Sequence, residues 1–213
     1  METIRLGDVG VAAAALRAAA SLRAGGVVLY PTDTLYGLGA DALSDEAVAK
    51  VKRIKGRDEG KPIHAIVADM KMVERYAVMN KTARLLAKHL WPGPLTLILE
   101  KKASVHSGIA RGLETFGVRV PDNEFCLALA REFGKPYTGT SANKSGYTPM
   151  RSIADILAQL GDAACEIGIV VDAGDLPSSA PSSVIDVRTN NPVILREGAI
   201  LSAEVWDTLR TEL

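Results

Sequence analysis

Three stretches of this 213-residue chain concentrate side chains suited to holding small polar molecules. They are Pro31-Thr32-Asp33-Thr34-Leu35-Tyr36-Gly37-Leu38-Gly39, the run from Thr138 to Gly146, and the run from Ala173 to Ser183. Each is rich in hydroxyls, amides or glycines, and each follows a segment that reads as a strand. Ligands of open α/β sheets bind beyond the carboxyl ends of strands, where hydroxyls and exposed backbone N–H groups can cradle phosphate. One such loop alone reads equally as an ordinary turn; three together point to a pocket. Cations supply the rest. Lys55 and Arg57 end a helix in a glycine-containing loop, placed to reach phosphates. Arg119 sits between Val118 and Val120, and Arg196 follows Val193-Ile194-Leu195. Strand alternation leaves each arginine pointing either to solvent or into a pocket. In a pocket, a guanidinium matches a carboxylate or phosphate with paired hydrogen bonds.

Several familiar chemistries are excluded. Gly56-Arg57-Asp58-Glu59-Gly60-Lys61-Pro62 superficially looks like a phosphate-binding P-loop. Its glycines are too close, and proline stands where Ser or Thr must reach magnesium. No GxGxxG follows a strand and no GxSxG is present, so dinucleotide-fold and esterase readings fail. His64, His89 and His106 lack metal-ligand spacing. Cys126 and Cys165 are far apart with no CxxC, and each lies among apolar residues, so both are expected as buried free thiols. Lys plus Arg number 25 and Asp plus Glu number 25, so the chain lacks the net basic excess of a dedicated nucleic-acid binder. Positive charge is instead local, from Lys50 to Lys61. Of that run, Lys50, Lys52 and Arg53 read as a solvated helix face. No apolar run approaches the ~20 residues of a membrane span and no signal peptide is evident, so a cytoplasmic protein is expected.

The elements that must position these groups follow from periodicity and punctuation. Ala and Leu dominate from Val9 to Ala24, which predicts a helix ended by Gly25-Gly26. Val27 to Tyr30 reads as a buried strand. Ser44 caps the next helix, with Ala47, Val48, Val51 and Ile54 on its apolar face. Ile63 to Val67 is a strand, and Asp69 and Asn80 cap two further helices, the second ending at Trp91-Pro92-Gly93-Pro94. Strands are predicted over Leu95–Leu99, Phe116–Val120, Pro136–Thr140, Ile167–Val171, Val184–Val187 and Val193–Leu195. Helices are predicted over Glu124–Phe133, from Ser152 to Gly161, and from Ser202 onward. Elements alternate irregularly, which gives a single α/β domain over residues 1–213: a twisted mixed β-sheet with flanking helices.

Taken in order, the loops resemble the YrdC family. The resemblance rests on Pro31-Thr32-Asp33-Thr34-Leu35-Tyr36-Gly37-Leu38, Lys55-Gly56-Arg57 with Lys61-Pro62-Ile63, and Trp91-Pro92-Gly93-Pro94-Leu95-Thr96. Gly117-Val118-Arg119-Val120-Pro121, Thr140-Ser141-Ala142-Asn143-Lys144-Ser145-Gly146, Ser182-Ser183-Val184-Ile185-Asp186 and Ile194-Leu195-Arg196-Glu197-Gly198 complete it. It covers residues from about 10 to 200, and seven fragments in register are specific. The resemblance implies a YrdC-like fold and a threonylcarbamoyl-AMP synthase, a nucleotidyltransferase acting in tRNA modification. The substrates would be L-threonine, bicarbonate and ATP, the last accompanied by Mg2+, with no resident metal site. Lys55 and Arg57 would be catalytic and, with Thr115, Ser141, Asn143 and Arg196, would bind ATP. Thr32, His64, Arg119 and Ser182 would bind threonine, Arg119 taking its carboxylate. His64 reads equally as a satisfied histidine on its strand. Expected partners are the small substrates, weak direct contact with tRNA, and a downstream threonylcarbamoyl-transferase complex.

Two departures stand out. Asp58 follows Arg57 where many members have proline, and Ser182-Ser183 replaces Ser-Thr, which keeps the hydroxyl. Some relatives carry a further C-terminal domain after the Arg196 region, so this chain resembles the single-domain form. Two rival functions remain in view: a carbamoyl-adenylate-forming enzyme, which in hydrogenase maturation proteins comes with zinc-finger cysteines absent here, and a non-catalytic module binding double-stranded RNA or tRNA.

Overall fold

A computed structural model describes residues 1–56, 62–189 and 191–212. Strand β1 (Glu2–Arg5) and a one-turn helix α1 (Leu6–Val9) precede helix α2 (Val11–Arg23) and strand β2 (Val27–Tyr30). Strand β3 (Gly37–Gly39), helix α3 (Asp45–Lys55) and strand β4 (His64–Ile66) follow. Next come helix α4 (Met70–Tyr76), strand β5 (Ala77–Val78), helix α5 (Lys81–Leu90) and strand β6 (Leu95–Lys101). Strand β7 (Thr115–Arg119), helix α6 (Glu124–Phe133), strand β8 (Tyr137–Ser141) and helix α7 (Ile153–Leu160) continue the chain. Strands β9 (Ile167–Asp172), β10 (Ser183–Asp186) and β11 (Val193–Arg196) lead to helix α8 (Ser202–Glu212).

The caps explain where the helices begin. Ser44, Asp69, Asn80, Asn123 and Ser152 each accept a backbone N–H from the first turn of the helix they precede, satisfying donors that the helix itself leaves open. Gly134 ends α6 in the left-handed conformation that glycine adopts without steric penalty.

The strands form one mixed sheet in the order β1-β9-β2-β3-β8-β4-β7-β6-β10-β11, with β5 beside β6. Neighbours β4/β7 and β6/β10 run parallel, whereas β3/β8, β8/β4, β7/β6 and β10/β11 run antiparallel. Helices α2 and α6 pack together, as do α5 and α8. Val27, Val28, Leu29 and Tyr30 are all fully buried, which is why β2 reads as a continuous apolar run.

The expected α/β fold is therefore present, with four local corrections. The single helix expected from Val9 is broken at Gly10, whose φ of 77° lies outside the helical region. Strand β1 carries one buried apolar residue, Ile4, and is defined by its pairing with β9, so periodicity gave no sign of it. The Gly37–Gly39 part of the first loop is strand β3, held between β2 and β8 despite the poor strand propensity of glycine. Cys165 is exposed rather than buried, because residues Gly161–Glu166 form a 3-10 turn that leaves it on the surface.

Burial pushes the Cys126 thiol up to about 12, with a nearby Tyr137 hydroxyl opposing the shift. The reactive species is the thiolate. Alkylation of the native protein at about pH 8 should therefore label one thiol, Cys165, and label both only after unfolding. Rapid labelling of Cys126 in the native state would contradict the packing described here.

Candidate functional site

A cavity of about 720 Å³ opens on one face of the sheet, and strand register explains its walls. One cross-strand row runs Ile66, Arg119, Thr96, Val184, Arg196 over β4, β7, β6, β10 and β11. Two residues along, a second row contains Gly139 opposite His64, and Gly117 opposite Ile98, which pairs in turn with Asp186. Every residue of both rows lines the cavity. Side chains alternate along a strand, so residues two apart share a face. Register thus settles what sequence alternation left open: both Arg119 and Arg196 face the pocket. They lie three strand spacings apart on their row, or about 14 Å between backbones.

Arg119 is only 4% exposed. Its Nε donates to the Gly93 carbonyl (3.1 Å), Nη1 to Thr34 Oγ1 (3.1 Å) and Nη2 to Asp33 Oδ1 (2.5 Å). The other carboxylate oxygen, Asp33 Oδ2, is buried with no hydrogen-bond partner among the described residues. Arg196 is exposed, at the end of β11, and its Nε and Nη2 donate to the Ser182 carbonyl at 3.0 and 2.7 Å. Nη2 also reaches Ser182 Oγ, which bonds Thr96 Oγ1 at 3.0 Å. Burial, and then the neighbouring Arg119 charge, lower the Arg196 pKa. Two cations exposed to one cavity favour an anionic guest.

The first loop is shaped by Thr32. Its hydroxyl accepts from the backbone N–H of Thr34 and Leu35 and donates to the Leu35 carbonyl at 2.7 Å. It also lies 3.1 Å from Thr34 Oγ1. Thr32 therefore lines the cavity with a hydroxyl already engaged by its own loop. His64 leans over Gly139: a Cβ there would sit 2.5 Å from His64 Nε2, so glycine is what makes room for the ring. Thr115, Ser141, Asn143 and Ser182 line the same cavity.

Lys55, which its place at the end of α3 suggests could reach phosphates, is 2% exposed. Its amine donates to the carbonyls of Ser141 and Asn143 and to Asn143 Oδ1, enough acceptors for its three N–H donors. The end of β8 and the loop after it fold back over the end of α3, with Ser145 N–H donating to the Lys55 carbonyl, and bury it. Lys55 accordingly meets the cavity through Ser141 and Asn143, which line it. Arg57 lies outside the described residues.

Sequence reasoning missed Thr34, Thr96, Tyr147, Asp186 and Arg188, all of which border the cavity. Thr96 carried a signal, as the one polar residue inside Leu95–Leu99. Asp186 and Arg188 pair at 2.7 Å, and the Arg188 hydrogen bonds hold the Asp186 carboxyl below its usual range. Among the described residues no group of three His, Cys, Asp or Glu could hold a metal ion. A magnesium ion arriving with a nucleotide would be held by the phosphates it accompanies. No described helix is long and apolar enough to cross a membrane.

The buried amine yields a testable consequence. Lys55→Ala strands the Ser141 and Asn143 oxygens, and it should destabilise the fold by about 3 kcal/mol, the scale of an orphaned buried polar group. Urea unfolding followed by circular dichroism would show it; an unchanged midpoint would contradict the buried placement.

Comparison with known proteins gives this geometry a context. The family profile Sua5/YciO/YrdC, described as telomere recombination, matches residues 20–198. A Bacillus subtilis protein named threonylcarbamoyl-AMP synthase is 39% identical over 191 residues, covering 89% of this chain and 54% of that protein. A Pyrococcus abyssi protein of the same name is 38% identical, covering 88% of this chain and 55% of its own length. The chain thus spans about half the length of these curated relatives. A crystal structure of P. abyssi Sua5 complexed with L-threonine superimposes with a TM-score of 0.87 at 33% identity, covering 98% of this chain and 59% of that one.

Proposed function

The chain belongs to the Sua5/YciO/YrdC family, and on that premise we propose that it is a threonylcarbamoyl-AMP synthase acting in the cytoplasm. Its substrates are L-threonine, bicarbonate and ATP, the last brought in with magnesium. The observation that carries this reading is the pair of arginines on one row of one cavity, each set among hydroxyl groups. An amino-acid carboxylate and a nucleotide phosphate are the two anions that such a cavity would keep apart yet within reach of one another.

The reaction requires no side-chain nucleophile. Threonine's amine nitrogen bonds the bicarbonate carbon with loss of water, giving a carbamate. A carbamate oxygen then bonds the α-phosphorus of ATP as the bond to pyrophosphate breaks. The protein's part is to hold three polar reactants in register and to offset negative charge at the α-phosphate. Arg119 takes the threonine carboxylate, and Thr32, His64 and Ser182 surround the rest of the amino acid. Ser141, Asn143, Thr115 and Arg196 face the nucleotide, with Lys55 holding Ser141 and Asn143 in place. Arg57, close to Lys55 in the chain, adds charge at the phosphates. The product feeds a threonylcarbamoyl-transferase complex that modifies tRNA, and any direct tRNA contact is weak because the net charge is zero.

The test is pyrophosphate release and adenylate formation with ATP, bicarbonate and each of three amino acids. Threonine should support turnover, and serine, which keeps the hydroxyl, should be a poorer substitute. Valine should be rejected most strongly, because it leaves buried polar groups unpaired. Equal release with threonine and valine, or release that requires no amino acid, would remove this reading.

A further inference from the structure

We propose that Asp33 and Thr34 are positioning residues for the amino-acid subsite: together they clamp the Arg119 guanidinium in the one orientation that offers its remaining N–H groups to a substrate carboxylate. The inference rests on the functional reading above and adds two residues to it.

The geometry is specific. A guanidinium has five N–H donors. The Gly93 carbonyl, Thr34 Oγ1 and Asp33 Oδ1 take one each from Nε, Nη1 and Nη2. That accounts for three donors and leaves one on each terminal nitrogen, the number a bidentate carboxylate needs. With acceptors on all three nitrogens, the plane of the group cannot rotate without breaking a bond.

Each acceptor is itself anchored. The Gly93 N–H donates to the Val120 carbonyl at 2.8 Å, next to Arg119 in the chain. Thr34 and Asp33 belong to the turn that the Thr32 hydroxyl ties down through the N–H groups of Thr34 and Leu35. The role of Thr32 is therefore partly to present its two successors to β7.

Asp33 is placed for little else. Asp41, Asp45, Asp69 and Asp172 each accept a backbone N–H and so shape the chain. Among the described residues Asp33 accepts from the guanidinium alone, and its second oxygen is buried with no hydrogen-bond partner among them. Its side chain is 12% exposed. Removing a carboxylate from water is costly, and here the Arg119 contact is the return for it. A residue kept only for stability would be better replaced by an apolar one. Asp33 does not border the cavity, so it acts on a ligand only through Arg119. Thr34 does border it, and the experiment must separate direct contact from action through Arg119.

The experiment measures KM for threonine and for ATP by pyrophosphate release, with thermal stability alongside, in wild type, Asp33→Asn, Thr34→Val and Thr34→Ser. Asp33→Asn and Thr34→Val should raise the threonine KM about tenfold or more while ATP changes by less than about twofold. Thr34→Ser, which keeps the hydroxyl, should restore the wild-type value. In an Arg119→Met background neither change should raise the threonine requirement further, because a residue acting only through Arg119 has nothing left to position. An unchanged threonine KM overturns the clamp. So does a parallel rise for both substrates in step with lost stability, or full additivity on Arg119→Met. If Asp33→Asn does not fold, the Thr34→Val and Thr34→Ser pair decides, since neither strands a charge. A wild-type protein without threonine-dependent turnover overturns the functional reading itself, and the clamp with it.

Discussion

Burying a guanidinium in the middle of the sheet is the constraint around which this structure is arranged. Arg119 lies on β7, with β4 on one side and β6 on the other, where water is largely excluded. A buried charge is tolerated only when it is paired and hydrogen-bonded. The loop after β2 and the loop before β6 both close onto it, one bringing Asp33 and Thr34 and the other the Gly93 carbonyl. The Asp33 charge also tempers repulsion between Arg119 and Arg196, which share the cavity.

The far end of the cavity depends on a comparable device. The Lys55 amine, at the end of α3, gathers the Ser141 and Asn143 carbonyls and so fixes the loop beyond β8. Segments distant in sequence are thereby drawn to one mouth. The floor between the two ends is shaped by absence of side chains: Gly139 leaves the His64 ring its space, and Gly117 lies close against Ile98 and the His64 backbone. Rigid strands below and anchored loops above give the preorganisation that charge stabilisation requires.

Much of this was legible in the residues. Ser44, Asp69, Asn80 and Ser152 announced their helices because capping is local chemistry. The resemblance gathered site residues from loops and strands spread along the chain, and all those within the described residues border one cavity except Lys55. What stayed hidden is non-local. Strand β1 exists because β9 offers it an edge, and β3 because β2 and β8 flank two glycines. The facing of Arg119 and Arg196 is set by register across β7, β6, β10 and β11, which no single strand encodes. The burial of Lys55 was equally hidden, because lysine is usually exposed and the residues that hold its amine lie 86 and 88 positions later.

The most direct test of the account is a crystal structure of the protein with L-threonine and a non-hydrolysable ATP analogue. The account predicts the threonine carboxylate within hydrogen-bond reach of both terminal nitrogens of Arg119, with Asp33 and Thr34 still in contact with that group. It places the phosphates toward Ser141, Asn143 and Arg196. A carboxylate seated on Arg196 with the phosphates on Arg119, or either ligand bound outside this cavity, would contradict it.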